Sequence, residues 1–218
     1  MEKKALKEQN TQLQNLLNDT VFVLADRVEN RVIGMDGHIE RILASLKILV
    51  SAMFTRGVYT NELNKIDLGI LYSSACLYDI GKISIPDSII CKPGRLTNDE
   101  FEIMKTHAME GELIIDQIVS RTGEDVEYLR SAKLLAGYHH ERWDGKGYPR
   151  GLDRLNIPLQ GRIMAVLDVY DALVSTRSYK KPFTPEESVK IIMDSTGEMF
   201  DPLITEVFYD ARKQFEKL

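Results

Sequence analysis

Cysteine is nearly absent from this 218-residue chain, which holds only Cys76 and Cys91 and no CxxC pair. That count excludes a disulfide framework and an all-thiolate structural zinc site. Cys76 lies in an apolar run and reads as a small buried hydrophobe. Lone thiols, with no segment resembling a secretory signal, predict a reducing, cytoplasmic setting. No apolar run approaches the roughly 20 residues that span a bilayer. A soluble protein is expected, or the soluble end of something longer, with no membrane partner. Positive charge is also short: 28 Lys and Arg face 33 Asp and Glu, a net charge of -5. Nucleic-acid backbones usually demand a basic field, so nucleic acid is not an expected partner. A small anion held by a few local cations is compatible with this balance. Sustained period-two alternation, internal repeats and low-complexity tracts are missing too, so strands should be few or absent.

What remains is helical. The chain is 44% hydrophobic and 28% charged, ordinary for a globular protein, and long enough for one domain plus an extra element. Residues 1–19 are expected to form an N-terminal helix ahead of a domain over 20–218. Leu6, Asn10, Leu13, Leu17, Thr20 and Leu24 alternate in spacings of four and three. This stripe either packs on its own domain or serves as a short coiled coil or signalling linker. Residues 38–54 carry an apolar helical face through Ile39, Ile42, Leu43, Leu46, Leu49 and Val50. A second apolar helix is predicted over 66–80, ending near Gly81. Pro86 and Pro93 mark 84–94 as an ordered loop. Thr97 and Glu100 form a capping box opening a helix that carries Met104 and His107. Helices over 110–121 and about 124–140 lead to His139 and His140. A Gly- and Pro-rich loop spans 143–158, and an apolar helix runs from about Leu159 to Ser175. Thr184 and Glu187 form a second capping box with Pro185 at the first helical position.

Only four histidines occur, each near an acidic residue or a helix end. A lone histidine is more often structural than ligating, but adjacent His139 and His140 can turn toward one centre. Asp168 interrupts the apolar stretch Ile163–Tyr170 and must be paired, hydrogen-bonded or metal-bound, because a bare buried charge is very costly. A salt bridge to Arg162 or Arg177 is its plain structural alternative. Asp79 ends the apolar run before it. Two such carboxylates with four histidines suit a mixed nitrogen and oxygen site for Fe or Mn. A site of this kind, with two metals, suits phosphodiester hydrolysis. Lys82, three residues after Asp79, could neutralise the phosphate or protonate the leaving group.

These residues carry a resemblance. Tyr78-Asp79-Ile80-Gly81-Lys82-Ile83-Ser84-Ile85-Pro86-Asp87 resembles the signature segment of the HD-GYP family, cyclic dinucleotide phosphodiesterases of the HD hydrolase superfamily. The match continues through Lys92–Thr97, Lys105-Thr106-His107, Tyr138–Pro149 with its GYP element, Asp168–Leu173, Arg177–Lys180 and Gly197–Pro202. It covers about residues 20–210, and so many segments in order make it specific. The resemblance implies an all-α fold, an HD-type helical bundle with a central metal site. It implies metal ligands at His38, Asp79, His107, His139, His140 and Asp168, with Asp79 bridging two transition metals, Fe or Mn. It implies that Lys82 assists the substrate phosphate, Tyr148 shapes the pocket, and Arg177 and Lys180 meet the dinucleotide phosphates. The implied reaction is hydrolysis of cyclic di-GMP to the linear dinucleotide.

Two positions depart from that pattern. The family's HD pair reads Tyr78-Asp79 here. A phenol, with an ordinary pKa near 10, binds a metal well only as phenolate, so the first metal site could be weak or empty and activity impaired. Some members place a glutamate four residues before the first histidine to hold a third metal; Gly34 stands there. The competing reading is a degenerate output domain that binds a cyclic dinucleotide or a protein without cleaving. A further one changes the substrate, for instance to cyclic GMP-AMP. Domains of this family usually serve larger regulators, which implies an upstream sensor or receiver module and, through the N-terminal helix, a homodimer.

Overall fold

The computed structural model describes residues 2–31, 37–176 and 181–218. Eleven α-helices run through them: α1 (Glu2–Glu29), α2 (His38–Arg56), α3 (Thr60–Leu63), α4 (Leu68–Ser74), α5 (Asp87–Ile90), α6 (Asn98–Lys105), α7 (His107–Thr122), α8 (Glu127–Tyr138), α9 (Leu159–Val174), α10 (Pro185–Asp194) and α11 (Pro202–Phe215). Among the described residues no strand forms; only isolated bridges join Asp144 to Asp153 and Thr196 to Phe200. The all-α expectation holds. Both capping boxes are in place, at Thr97–Glu100 and Thr184–Glu187. No helix among the described residues is long and apolar enough to cross a membrane.

The main core is built where α2, α9, α10 and α11 meet. Ile42, Leu46, Leu49 and Met53 of α2 pack with Met164, Val166 and Leu167 of α9, Ile192 of α10, and Ile204, Val207 and Phe208 of α11. A smaller core gathers Ala25 of α1, Ile39, Cys76, Leu77, Ile115 of α7 and Leu129, Ala132 and Ala136 of α8. The candidate site residues come from chain segments that border both cores.

The long helix expected over 66–80 is broken. α4 stops at Ser74 and two short 3₁₀ turns follow, Ala75–Leu77 and Ile80–Ser84. Tyr78 and Asp79 lie between them, with Asp79 at φ -109 and ψ 13. That bridge region is sparsely populated and recurs at active sites. The cause is a close approach: a Cβ on Gly81 would lie 1.9 Å from the His107 carbonyl and 2.4 Å from the Gly111 amide. The apolar run promised a regular helix, but packing of backbone on α7 wins over local propensity.

Three other expectations shift. The loop over 84–94 contains α5, whose Ile89 and Ile90 bury with Ile85 beneath Leu96 and Met104. The helix after Thr97 bends at Thr106, so Met104 belongs to α6 and His107 opens α7. α1 runs unbroken across the boundary expected at residue 19. Its Leu6, Leu13, Leu17 and Leu24 stripe is more than half exposed. The face that packs is a different one, made by Val21, Phe22, Ala25, Val28 and Glu29.

Candidate metal centre

Asp79, His107, His139 and His140 stand together, with one ligand atom from each within 4.8 Å of all the others. His107 Nδ1 faces the Met104 carbonyl at 2.7 Å, and His139 Nδ1 faces the Leu135 carbonyl at 2.9 Å. A carbonyl only accepts, so each Nδ1 carries the proton and each Nε2 is left with a lone pair. Those two Nε2 atoms lie 3.3 Å apart and 3.2 and 3.4 Å from Asp79 Oδ1. Oδ1 is buried and receives no hydrogen bond. Three acceptors thus converge on one point with no donor among them. A buried arrangement of this kind is costly unless a cation completes it.

The electrostatics agree. Burial, together with His139 and His107 alongside, holds the His140 imidazole well below its ordinary value, in the neutral form that binds metals. Burial alone would lower the His139 imidazole, but the facing Asp79 carboxylate outweighs it and lifts it. The place that attracts a proton there is the place that would attract a metal ion. Burial would raise Asp79 as well; Lys82 and then the two histidines pull it well below the carboxylate range.

The other half is built differently. His38, the first residue of α2, turns Nδ1 to Asp171 Oδ2 at 2.6 Å and is buried. Its Nε2 makes a short hydrogen bond with the Tyr78 hydroxyl. The same hydroxyl donates to Asp168 Oδ1 at 3.0 Å. Tyr78 therefore stands between the two side chains expected to hold a first metal. Burial first, then Asp168 and Asp79, push its phenol well above the ordinary value, so it stays protonated. Asp168 is only half-buried, and Arg162 does not pair with it: that guanidinium turns to Asp201 at 2.7 Å and Glu62 at 3.1 Å. The buried carboxylate of α9 is Asp171, one turn on, which also receives the Arg41 Nε at 2.6 Å.

Lys82 reaches into the same space. Its ammonium lies 2.7 Å from Asp79 Oδ2 and 3.0 Å from Glu29 Oε2. Burial would lower it, but the two carboxylates raise it above the ordinary lysine value. Glu29 ends α1, is buried, and comes within 3.8 Å of His38 Nε2. Burial raises its carboxyl against the pull of Lys82. Arg31 follows it and bonds the Lys82 and Ile85 carbonyls, each at 2.8 Å. Lys82 is thus held at its side chain by the last residue of α1 and at its backbone by Arg31, two residues beyond it.

The mouth of the site is aromatic. The Tyr148 ring lies 4.6 Å from His140 and 6.4 Å from His107, centroid to centroid. Phe101 meets its edge, and Lys105 Nζ lies 5.8 Å over it. The chain turns tightly to bring it there: Tyr148 N donates to the His140 carbonyl at 3.1 Å. A Cβ on Gly147 would lie 2.3 Å from the Arg142 amide. Buried Glu141 accepts from the Arg150 and Leu152 amides at 2.7 and 2.9 Å, which closes the loop. Arg177 and Lys180, expected at the dinucleotide phosphates, lie outside the described residues, as does Gly34.

The structure brings together Asp79, His107, His139 and His140, places Lys82 against Asp79, and sets Tyr148 at the rim. It separates His38 and Asp168 by the Tyr78 hydroxyl. Sequence reasoning missed Glu29, Arg31 and Asp171. Asp171 had a signal, being one helical turn from Asp168 on the same apolar helix. Glu29 and Arg31 had none, since the Lys82 they hold lies more than fifty residues away.

The model of the family described as HD domain matches residues 11–204. A protein of Vibrio cholerae serotype O1 named as a probable cyclic di-GMP phosphodiesterase is 38% identical over 94% of this chain and 46% of its own length. A cyclic di-GMP phosphodiesterase of Thermotoga maritima is 37% identical over 97% of this chain and 54% of its own. A 3'3'-cGAMP-specific phosphodiesterase of Vibrio cholerae is 34% identical over 93% of this chain and 36% of its own. The chain spans about half the length of the curated relatives it matches. With its residue order, helical architecture and family match in agreement, the chain belongs to the HD domain family, of the HD-GYP type.

Proposed function

We propose that this chain is a metal-dependent phosphodiesterase that opens cyclic di-GMP to the linear dinucleotide. The observation that carries the reading is the convergence of Asp79 Oδ1 and the His107 and His139 Nε2 atoms, with separations of 3.2 to 3.4 Å and no donor among them. Asp79, His107, His139 and His140 would hold the ion. Their mixed imidazole and carboxylate character suits iron or manganese. A bound ion of this kind supplies Lewis-acid character to the phosphate.

The chain's own groups do the rest. Lys82, raised by its two carboxylates, releases a proton poorly and serves as a fixed positive charge for the phosphate rather than as a general acid. Tyr148 borders the site with a phenol that burial keeps neutral, offering an aromatic face to a base. Arg177 and Lys180 are assigned to the remaining phosphates. Residues 1–19 are read as a linker, and the exposed leucine stripe of α1 supports its use to join an upstream sensor or receiver module or a second copy. The free thiols of Cys76 and Cys91 suit a cytoplasmic setting.

The test is turnover with Mn(II) or Fe(II), offering cyclic di-GMP and 3'3'-cGAMP side by side. Linear product from cyclic di-GMP supports the reading. A protein that takes up neither metal and hydrolyses neither compound overturns it. A second reading, binding without cleavage, draws support from the Tyr78 hydroxyl between His38 and Asp168. Heat of binding without product would favour it. Tyr78→His should then raise turnover.

A further inference from the structure

We propose that this chain is a one-metal centre, in which the Tyr78 hydroxyl and the Lys82 ammonium occupy the place a second ion would take. The inference rests on the reading of Asp79, His107, His139 and His140 as a metal site, and it goes beyond the loss of one ligand. A missing ligand leaves a weak site. Here the remaining donors are instead satisfied by other groups.

His38 Nε2 and Asp168 Oδ1 are the donors left to a first metal on this side. Both are engaged by one oxygen, the Tyr78 hydroxyl, at a short contact and at 3.0 Å. His38 cannot turn away, because its other nitrogen is fixed on Asp171 at 2.6 Å. The Tyr78 ring is 1% exposed and packs edge-on against His139 at 5.1 Å, so the hydroxyl has no open rotamer to retreat into. The alternative place for an ion is among Glu29, His38 and Asp79, whose ligand atoms lie within 4.8 Å of one another. Lys82 lies there, 2.7 Å from Asp79 and 3.0 Å from Glu29. An ion entering would have to expel a buried ammonium from two carboxylates, and separating such a pair is strongly unfavourable. Like-charge repulsion at this range adds to that cost.

The two halves therefore differ in kind. On one side acceptors face each other with no donor. On the other, a hydroxyl already bonds His38 and Asp168, and an ammonium already bonds Glu29 and Asp79. The positive charge of a second ion is replaced by lysine, fixed where the substrate phosphate would meet it.

The count of ions per chain tests this without reference to activity. Full-length protein is loaded with Mn(II), desalted, and measured by elemental analysis and native mass spectrometry, with Tyr78→His alongside. One ion is expected in the wild type and two in Tyr78→His. The wild-type manganese spectrum in electron paramagnetic resonance should be that of an isolated ion, with exchange coupling arising only in the variant. Two ions in the wild type overturn the inference and leave the phosphodiesterase reading standing. One ion in both proteins overturns the assignment to Tyr78. No ion in either overturns the phosphodiesterase reading and the inference with it. Should Tyr78→His fail to fold, the wild-type count still decides. Iron loading in air gives a second readout: a visible phenolate-to-iron absorption band that persists in Tyr148→Phe and is lost in Tyr78→His would show Tyr78 acting as a ligand and overturn the proposal.

Discussion

Gly81→Ala should break the metal centre without replacing any ligand. Gly81 lies between Asp79 and Lys82, and its Cα faces the start of α7. The Cβ of alanine would fall 1.9 Å from the His107 carbonyl, where ordinary contact begins at 3.4 Å, so the two segments must part by about 1.5 Å. The obstacle is backbone on both sides, so no side chain can swing aside. Asp79 Oδ1 and His107 Nε2 are now 3.2 Å apart. Two donors on one first-row ion, each bonded at roughly 2.1 Å, can be no more than about 4.2 Å apart. That leaves about 1.0 Å of further separation, less than the roughly 1.5 Å by which the two segments must part. Overpacking of this kind costs about 1–3 kcal/mol, and backbone against backbone belongs at the upper end.

The assay is urea unfolding of the metal-free protein together with metal titration. Gly81→Ala should lower the midpoint at unchanged slope and weaken metal binding at least roughly 10- to 100-fold, the range seen when ligand support is lost. Gly57→Ala is the control. Its φ is 69 and nothing lies within 4 Å of the added Cβ, so it should cost only the left-handed strain of about 1–2 kcal/mol and leave metal binding unchanged. If Gly81→Ala bound metal as tightly as the wild type, the claim that this close approach sets the ligand spacing would be wrong.

Three other outcomes can be checked. Asp171 titrates at about 2 in the folded protein against an ordinary 3.8; burial raises it, but His38 and Arg41 overcome that. Its folded value is depressed, so its contribution, about 2 kcal/mol by the linkage of one pKa unit to about 1.4 kcal/mol, is present above pH 4 and lost as pH falls toward 2. The stability gap between metal-free wild type and Asp171→Asn should close over that window, and a gap independent of pH would refute the assignment. Arg31→Met leaves the Lys82 and Ile85 carbonyls without their 2.8 Å partners; it should cost about 1–3 kcal/mol and lower turnover while metal content holds, and a loss of metal would contradict it. Removing residues 1–20 should reduce the sedimenting species if the exposed stripe of α1 joins two copies, and identical sedimentation with and without them would sink that reading.

Much of the fold was legible because its signals are local. Capping boxes at Thr97 and Thr184 fix two helix starts within a few residues of chain. The apolar spacing of α2 fixes its buried face. The motif order picked out Asp79, His107, His139 and His140, and one ligand atom from each lies within 4.8 Å of the others. What escaped depends on partners distant in sequence. The break after Ser74 could not be read from an apolar run, because its cause is Gly81 lying on α7. Asp168 invited a salt bridge to Arg162 six residues earlier on the same helix. Arg162 instead serves Asp201, thirty-nine residues away, while Asp168 accepts from the Tyr78 hydroxyl.

The tyrosine shows the same division between local and distant information. From the motif alone, Tyr78 is a lost ligand, and the expected consequence is a gap. In the fold, a phenol is longer than an imidazole and its hydroxyl reaches to where His38 and Asp168 meet. A hydroxyl can give one hydrogen bond and accept another, so it engages Asp168 and His38 at once. Lys82, clamped by Glu29 and Asp79, sets a fixed positive charge beside it. Because Glu29 sits at the end of α1, the helix that starts in residues 1–19 runs on into the domain and contributes a buried side chain to the site. The segment that can be trimmed without reaching the chemistry therefore ends before Val21, where burial on the domain begins.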